Sequence, residues 1–160
     1  MDGLLFALTL VAAVAAGLNG GVFFAFSTFV MKALGRLPPS EGAAAMQAIN
    51  VAAPTPVFML ALFGTGLLGL VLAVWGLVDL DEPYAGYLIA GGVVYFVGEV
   101  VMTGAYHVPR NNALARVDPA SPEGQRLWER YLVDWTRGNH VRTVAGLAAA
   151  ALFALALQAG

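Results

Sequence analysis

Charged residues are scarce in this chain of 160 residues, at 11% of the sequence against roughly 25% in an average soluble domain. Hydrophobic residues make up 59% of it, and the mean hydropathy is +0.76. Too little polar surface is left to cover a water-soluble globule. At this length we expect a single membrane domain over residues 1–160, with no room for a separate soluble domain.

Cysteine is absent, which excludes a disulfide, a thiolate metal site and a thiol nucleophile. No motif for haem, flavin or nicotinamide is visible, so no cofactor is predicted. The net charge of −2 and the lack of any run of Lys or Arg leave no basic surface, so nucleic acid is excluded as a partner. Any chemistry must therefore depend on histidine, carboxylate, amide, aromatic or arginine side chains.

Four hydrophobic segments are long enough to cross a bilayer, whose hydrocarbon core of about 30 Å needs about 20 apolar residues. They cover approximately residues 4–30, 58–77, 84–106 and 141–157. All four are rich in Gly and Ala, which allow helices to approach closely in lipid. The sequence therefore predicts an all-α fold, an integral membrane four-helix bundle in the lipid bilayer, with short interfacial helices in the first and third connections.

The basic residues all lie on one side of the predicted spans. Lys32 and Arg36 belong to the first connection, and the remaining Arg residues lie in or beside the third. Because positive charge is retained on the cytoplasmic side during insertion, we expect both long connections in the cytoplasm and both termini outside, in the plasma (inner) membrane. A second Pro-bounded helix is predicted to start in the third connection, near Ser121 and Pro122.

Two of the polar residues inside the predicted spans, Glu99 and Asn19, are candidates for a role. A charged side chain at a helix centre costs about 2.5–3.5 kcal/mol even on insertion scales, which makes Glu99 a functional candidate. Thr103 and His107 follow it at i+4 and i+8, a polar stripe that leads to the cytoplasmic interface. Glu99 is either protonated and hydrogen-bonded to a neighbouring helix, or it handles protons or binds a ligand. Asn19 either joins helices or lines a cavity.

The densest chemistry lies between His107 and Thr143, where Asn111, Asn112 and His140 also occur. Trp and Tyr gather at membrane interfaces whatever a protein does, but such anchoring needs neither Asn nor His. One aromatic and amide face is predicted from residues that recur at helical spacing: Trp128, Tyr131, Trp135, Asn139 and Arg142.

The two histidines allow three interpretations. Glu99, His107 and His140 could form the facial triad of a non-haem metal site, although Glu99 and His107 lie about 12 Å apart along a straight helix. Alternatively, one imidazole acts as a general base while neighbouring amides steady an oxyanion. Finally, both histidines could make hydrogen bonds at the interface and perform no chemistry.

Three segments of the carboxyl-terminal half carry a resemblance to a known family: His107-Val-Pro-Arg-Asn-Asn-Ala-Leu, Leu127-Trp-Glu-Arg-Tyr-Leu and Trp135-Thr-Arg-Gly-Asn-His-Val-Arg-Thr143. Over nearly its whole length the chain resembles the anthrone oxygenase-like family of small four-helix membrane proteins. That family often has Asn at position 107 and Leu at position 110, where this chain has His and Arg. The matching positions are Asn111, Asn112, Trp128, Tyr131, Trp135, Asn139, His140, Arg142 and Thr143.

The resemblance implies an oxygenase that acts on an aromatic, lipid-soluble substrate. Our leading hypothesis is a cytoplasm-facing cavity in which a small aromatic or quinone-type molecule is oxidised by oxygen. His140 or His107 would abstract a proton and the amides of Asn111 and Asn139 would hold the resulting oxyanion. The indoles of Trp128 and Trp135 would stack on the substrate ring. The other residues expected to contact substrate are Tyr131, Asn112, Arg142, Glu99 and Asn19.

A second class of function stays open at this point. The chain could instead be a non-catalytic binding or carrier protein, or a subunit of a membrane complex. A carrier would need polar residues through the whole depth of the bilayer, whereas here they concentrate on one side, which favours a site over a pathway. The sequence does not decide whether copies of the chain form a homo-oligomer.

Overall fold

The computed structural model describes all residues, 1–160, and consists of helices without any strand. Four of its five helices are long and apolar enough to cross a membrane, which confirms the predicted all-α, four-helix membrane fold. The helices are α1 (Gly3–Leu34), α2 (Pro39–Ala52), α3 (Pro56–Val78), α4 (Ala85–Ala115) and α5 (Pro122–Ala159). The short helix α2 is the one predicted in the first connection.

Side-chain caps define where three of the helices begin. Asp2 accepts a hydrogen bond from the Leu5 amide at 2.8 Å at the start of α1. Thr55 accepts from Phe58 at 3.2 Å at the start of α3, and Ser121 caps α5 in the same way. These bonds satisfy amides that have no partner within the first turn of a helix. The structure therefore follows the Ser-Pro signal at residues 121–122.

The long helices form a ring in which α1 packs on α5, α5 on α4 and α4 on α3, while α3 and α1 close the ring with fewer contacts. Glycines allow the closest approaches. A Cβ at Gly69 of α3 would lie 3.3 Å from the Gly92 Cα of α4, and a Cβ at Gly146 of α5 would lie 2.8 Å from the Gly20 Cα of α1. This agrees with small residues holding the helices together in lipid.

Apolar side chains cover the outside of the bundle, as a protein surrounded by lipid requires. Leu67 on α3 is 66% exposed and Val144 on α5 is 67% exposed. The first and last residues of the chain meet at one end of the bundle, where the Met1 amino group donates to the Gly160 carbonyl at 3.4 Å. The opposite end carries α2, and we call that part of the molecule the α2 half.

The third connection differs from the prediction. The helix that starts at Pro122 was expected to be a separate interfacial helix, but it continues without interruption to Ala159 as α5. No proline follows Pro122 to break it. Its 38 residues span roughly 57 Å at 1.5 Å per residue, so α5 extends well beyond a bilayer core of about 30 Å. The connection itself shrinks to the few residues between Ala115 and Pro122.

Three of the long helices contain π-helical turns. These turns cover Phe26–Val30 in α1, Leu60–Gly64 in α3, and both Phe96–Val101 and Thr103–His107 in α4. A π turn carries an extra residue per turn and changes the direction of the side chains that follow it, and such turns are frequent at functional sites. Those of α1 and α3, and the second of α4, contribute residues to one cavity.

Candidate functional site

The α2 half contains a partly open cavity of about 430 Å³, to which all five helices contribute. Its volume lies in the range of about 300–1,000 Å³ that ligand sites occupy. The α1 and α3 side is apolar and aromatic, with Phe23, Phe26 and Phe58. The α4 and α5 side is polar and is formed by Thr103, His107, Asn111, Trp135 and Arg142. We call this second surface the polar wall.

Asn111 is held in one orientation by two donors. The Tyr131 hydroxyl donates to its Oδ1 at 2.7 Å and the Trp135 indole N–H donates to the same atom at 3.0 Å. An indole N–H can only donate, so the atom that faces Trp135 must be the amide oxygen. The Asn111 NH₂ group makes no hydrogen bond within the protein, and Asn111 lines the cavity.

His107 is 1% exposed, and neither of its ring nitrogens has a hydrogen-bond partner in the protein. Its ring stands edge-on to Trp135, with centroids 5.0 Å apart. Gly138 leaves the room for this arrangement, because a Cβ there would lie 3.1 Å from His107 Nε2 and 2.6 Å from Tyr106 Cδ1. A buried polar group without a partner costs about 1–3 kcal/mol, so the imidazole is a strong candidate for contact with a ligand.

Arg142 completes the polar wall and is held by Asn139. Its NH2 group donates to the Asn139 Oδ1 at 2.7 Å, and its NH1 group donates to the Thr103 hydroxyl at 3.3 Å. The Asn139 amide nitrogen donates in turn to the Phe23 carbonyl at 2.7 Å and to the Ser27 hydroxyl at 2.8 Å. Both amide hydrogens of Asn139 are therefore used, so the predicted oxyanion role does not fit it. Asn139 positions Arg142 instead.

Glu99 and Asn19 lie outside the cavity lining. Glu99 is fully buried, both of its oxygens lack hydrogen-bond partners, and it packs against Gly146 of α5. The Asn19 amide donates to the Ala61 carbonyl of α3 at 2.9 Å and to the Tyr95 hydroxyl of α4 at 2.8 Å. Of the two interpretations left open for Asn19, these bonds favour the joining of helices.

The remaining predicted residues surround the cavity at different distances. Trp128 stacks on Tyr131 with centroids 5.7 Å apart, and Tyr131 stacks on Trp135 at 6.1 Å. Of these three, Trp135 alone reaches the cavity, so a stacking contact between Trp128 and a ligand there is not available. Asn112 is exposed and lines an outer groove between α2 and the end of α4.

His140 lies on the outer face of α5, where it is exposed next to Arg36 and Arg137. Successive residues of a helix point about 100° apart, so the inward direction of Asn139 turns His140 away from the bundle. The metal alternative required Glu99, His107 and His140 to converge. The structure contains no group of three His, Cys, Asp or Glu side chains that could hold a metal ion, so this ligand set is not assembled.

Sequence reasoning missed the apolar half of the cavity. Met46, Ile49 and Asn50 of α2, together with Phe58 and Leu62 of α3, line it. An apolar residue that faces a cavity and one that faces lipid look alike in a hydrophobic run, so no periodic signal could separate them. Asn50 is the one polar residue in this set, and its amide was the only signal in the sequence that could have indicated a cavity there.

The fold is that of a small four-span membrane protein, with a ligand-sized cavity in its α2 half. The family model described as Anthrone oxygenase matches residues 56–152, which is more than half of the chain. The chain therefore belongs to the anthrone oxygenase family. The matched residues include the whole polar wall but neither α1 nor α2. No match was found among curated proteins or among solved structures.

Proposed function

We propose that this membrane protein is an oxygenase that oxidises a small aromatic or quinone-type molecule in the cavity of the α2 half. The single observation that carries the proposal is that the polar wall contains an imidazole and an amide NH₂ group, both without hydrogen-bond partners in the protein, opposite an apolar side of the same cavity. His107 can accept a proton and Asn111 can donate to an oxygen. Membership of the anthrone oxygenase family supports the same reaction class.

The chemistry follows from these two groups. His107 would remove a proton from an activated ring CH₂ group. The Asn111 amide would stabilise the negative charge that moves to the carbonyl oxygen of the ring system. The electron-rich carbanion gives electrons to O₂ and takes up a proton, which forms a hydroperoxide that loses water. The balanced result is R₂CH₂ + O₂ → R₂C=O + H₂O. The phenylalanine side of the cavity would hold the ring system by apolar contact.

The location of the site in the cell is part of this proposal. All eight Lys and Arg residues lie in the α2 half. Lys32 and Arg36 are at the end of α1, Arg110 and Arg116 are at the end of α4, and the other four lie on α5 between Arg126 and Arg142. By the positive-inside rule that half faces the cytoplasm, with both termini outside the plasma (inner) membrane. A reporter domain fused to the carboxyl terminus would therefore be active only outside the membrane. A signal from a reporter that works only in the cytoplasm would contradict this orientation.

The rival carrier function is less well supported, because the other half of the bundle is closed. Its core consists of tightly packed apolar side chains such as Leu5, Leu72, Leu88 and Phe153. The buried hydroxyl of Thr9 there donates to the Leu5 carbonyl of its own helix at 2.7 Å and lines no channel. A path across the membrane would need polar groups through this layer.

Oxygen uptake with a panel of anthrones and hydroquinones tests the proposal on detergent-purified protein. Uptake on an anthrone should accompany formation of the ketone, with label from ¹⁸O₂ in the product. Ala53 directly follows α2 and lines the cavity, so Ala53→Trp should fill it and abolish uptake while the polar wall stays intact. Val51→Trp is the matched control, since Val51 is 83% exposed in the last turn of α2 and lies outside the cavity. Equal uptake by the two variants would refute a reaction in this cavity.

A further inference from the structure

Arg142 is a buried cation whose hydrogen bonds all go to neutral groups. It is 4% exposed, and its partners are the Thr103 hydroxyl and the Asn139 amide oxygen. A guanidinium carries five N–H donors, and two of them make these bonds, which leaves three. One of the free donors is on Nε, which has no partner in the protein. Buried charges are ordinarily paired, so this arrangement needs an explanation.

Aromatic rings supply only part of the missing stabilisation. The guanidinium carbon lies 4.0 Å from the Phe23 ring centroid and 5.1 Å from that of Trp135. Cation–π contacts stabilise a desolvated cation by about 2 kcal/mol or somewhat more, whereas the effective penalty for burying an ion is several kcal/mol. The rings orient the guanidinium without replacing a counter-ion.

Glu99 interacts electrostatically with Arg142 but forms no close ion pair with it. Both of its carboxyl oxygens are without hydrogen bonds, and Oε1 packs against Gly146, one helical turn along α5 from Arg142. No hydrogen bond joins the two side chains. Arg142 itself lines the cavity, as do His107 and Asn111.

The guanidinium is also held in place before any ligand arrives. Asn139 cannot turn its oxygen away from Arg142, because its two amide hydrogens are bound to the Phe23 carbonyl and the Ser27 hydroxyl. Ser27 lies 3.0 Å from the hydroxyl of Thr143, which gives this support a second connection to α5. A donor fixed in this way gains affinity because little flexibility is lost on binding.

We propose that Arg142 is the subsite for an anionic oxygen, so that the ligands of the cavity are aromatic molecules carrying an ionised phenol, enol or carboxyl group. This inference rests on the proposed function for the choice of an aromatic ligand, but it concerns binding and not turnover. It implies that a neutral aromatic of the same shape binds more weakly. It also assigns Asn139 and Ser27 as positioning residues for the cation.

Two probes of equal shape and different charge test the subsite: 2-naphthoate and the uncharged 2-naphthamide. Their affinities for the detergent-purified protein are measured by calorimetry and by quenching of Trp fluorescence, to which Trp135 in the cavity contributes. The wild type should prefer 2-naphthoate. Arg142→Met should weaken 2-naphthoate roughly 10- to 100-fold, as expected for the loss of a charge-assisted hydrogen bond. It should leave 2-naphthamide unchanged.

Arg137→Gln is the matched control, because Arg137 is an exposed arginine on the same helix and lies outside the cavity. It should bind both probes as the wild type does. If Arg142→Met fails to fold, Thr103→Asp keeps the arginine and places a carboxylate next to its NH1 group. This variant should lose the preference for 2-naphthoate by neutralising the guanidinium locally.

Equal affinity of the wild type for the two probes, or an equal loss of both in Arg142→Met, would overturn the subsite. The outcome separates from that of the proposed function, since neither probe needs to react. A preference for 2-naphthoate without oxygen uptake on any anthrone would support the anion subsite and refute the oxygenase function. Oxygen uptake on anthrones without a preference for 2-naphthoate would support the oxygenase function and refute the anion subsite.

Discussion

Asn111 combines a structural and a functional role that two substitutions can separate. Its oxygen accepts from Tyr131 and Trp135, which are 3% and 4% exposed. Asn111→Leu has similar size but leaves both donors without an acceptor. At about 1–3 kcal/mol for each unsatisfied buried donor, the free energy of unfolding should fall by about 2–6 kcal/mol. Asn111→Asp keeps the acceptor, so its free energy of unfolding should change by no more than about 1 kcal/mol.

Activity should depend on the NH₂ group of Asn111. Asn111→Asp removes the free NH₂ donor and brings a negative charge to the polar wall, so kcat for anthrone oxidation should fall by about 10²–10³, the usual effect of losing one oxyanion donor. Unfolding is followed by SDS titration in mixed micelles and kcat by oxygen uptake. Asn112→Leu is the control, since the neighbouring amide is exposed, and its stability should stay within about 0.5 kcal/mol of the wild type.

Two results would refute these roles of Asn111. Wild-type stability of Asn111→Leu would mean that the Tyr131 and Trp135 donors do not depend on the Asn111 oxygen. Wild-type kcat of Asn111→Asp would mean that the free amide takes no part in the reaction.

Gly138→Ala should lower both stability and kcat, because the new methyl group displaces the rings of Tyr106 and His107; overpacking of this kind costs about 1–3 kcal/mol in thermal or SDS unfolding. Asn19→Leu should lower stability by about 1–3 kcal/mol while kcat is retained, since it loses two interhelical hydrogen bonds of about 0.6–1.7 kcal/mol each, to Ala61 and Tyr95, outside the cavity.

Each of these variants has a control of its own. Gly104→Ala is the control for Gly138→Ala, because a Cβ there meets nothing within 4 Å and should be neutral or stabilising. Thr28→Val is the control on α1 for Asn19→Leu, since Thr28 is exposed and bonds only to the Phe24 carbonyl of its own helix. Unchanged kcat in Gly138→Ala would separate the position of His107 from catalysis. A loss of kcat in Asn19→Leu would place Asn19 in the functional machinery.

Hydropathy and local helix-capping signals were sufficient to predict the membrane fold. Ser121 and Pro122 predicted the start of α5 because capping is a local property of the sequence. The sequence did not predict that this helix continues into the last membrane span. Its first part is amphipathic and its second part is hydrophobic, and this change of composition suggests a boundary although both parts are helical. The π turns, such as Thr103–His107, were also invisible, since they arise from packing between helices.

The polar wall was predicted in part. His107, Asn111, Trp135 and Arg142 were named as candidates and line one cavity. The division of roles among their neighbours depends on the rotation of α5 about its axis. That rotation turns Asn139 inward against α1 and His140 outward, and a helical wheel without a known partner cannot fix it.

The proposed reaction centre is the polar wall of the α2 half, with His107 as its base. A comparison of kcat for oxygen uptake on an anthrone between His107→Ala and His140→Ala tests it most directly. His107→Ala should lose about 10²–10⁴ in kcat, the contribution of a general base, whereas His140→Ala should keep the wild-type kcat. Wild-type kcat in His107→Ala, or an equal loss in His140→Ala, would contradict it.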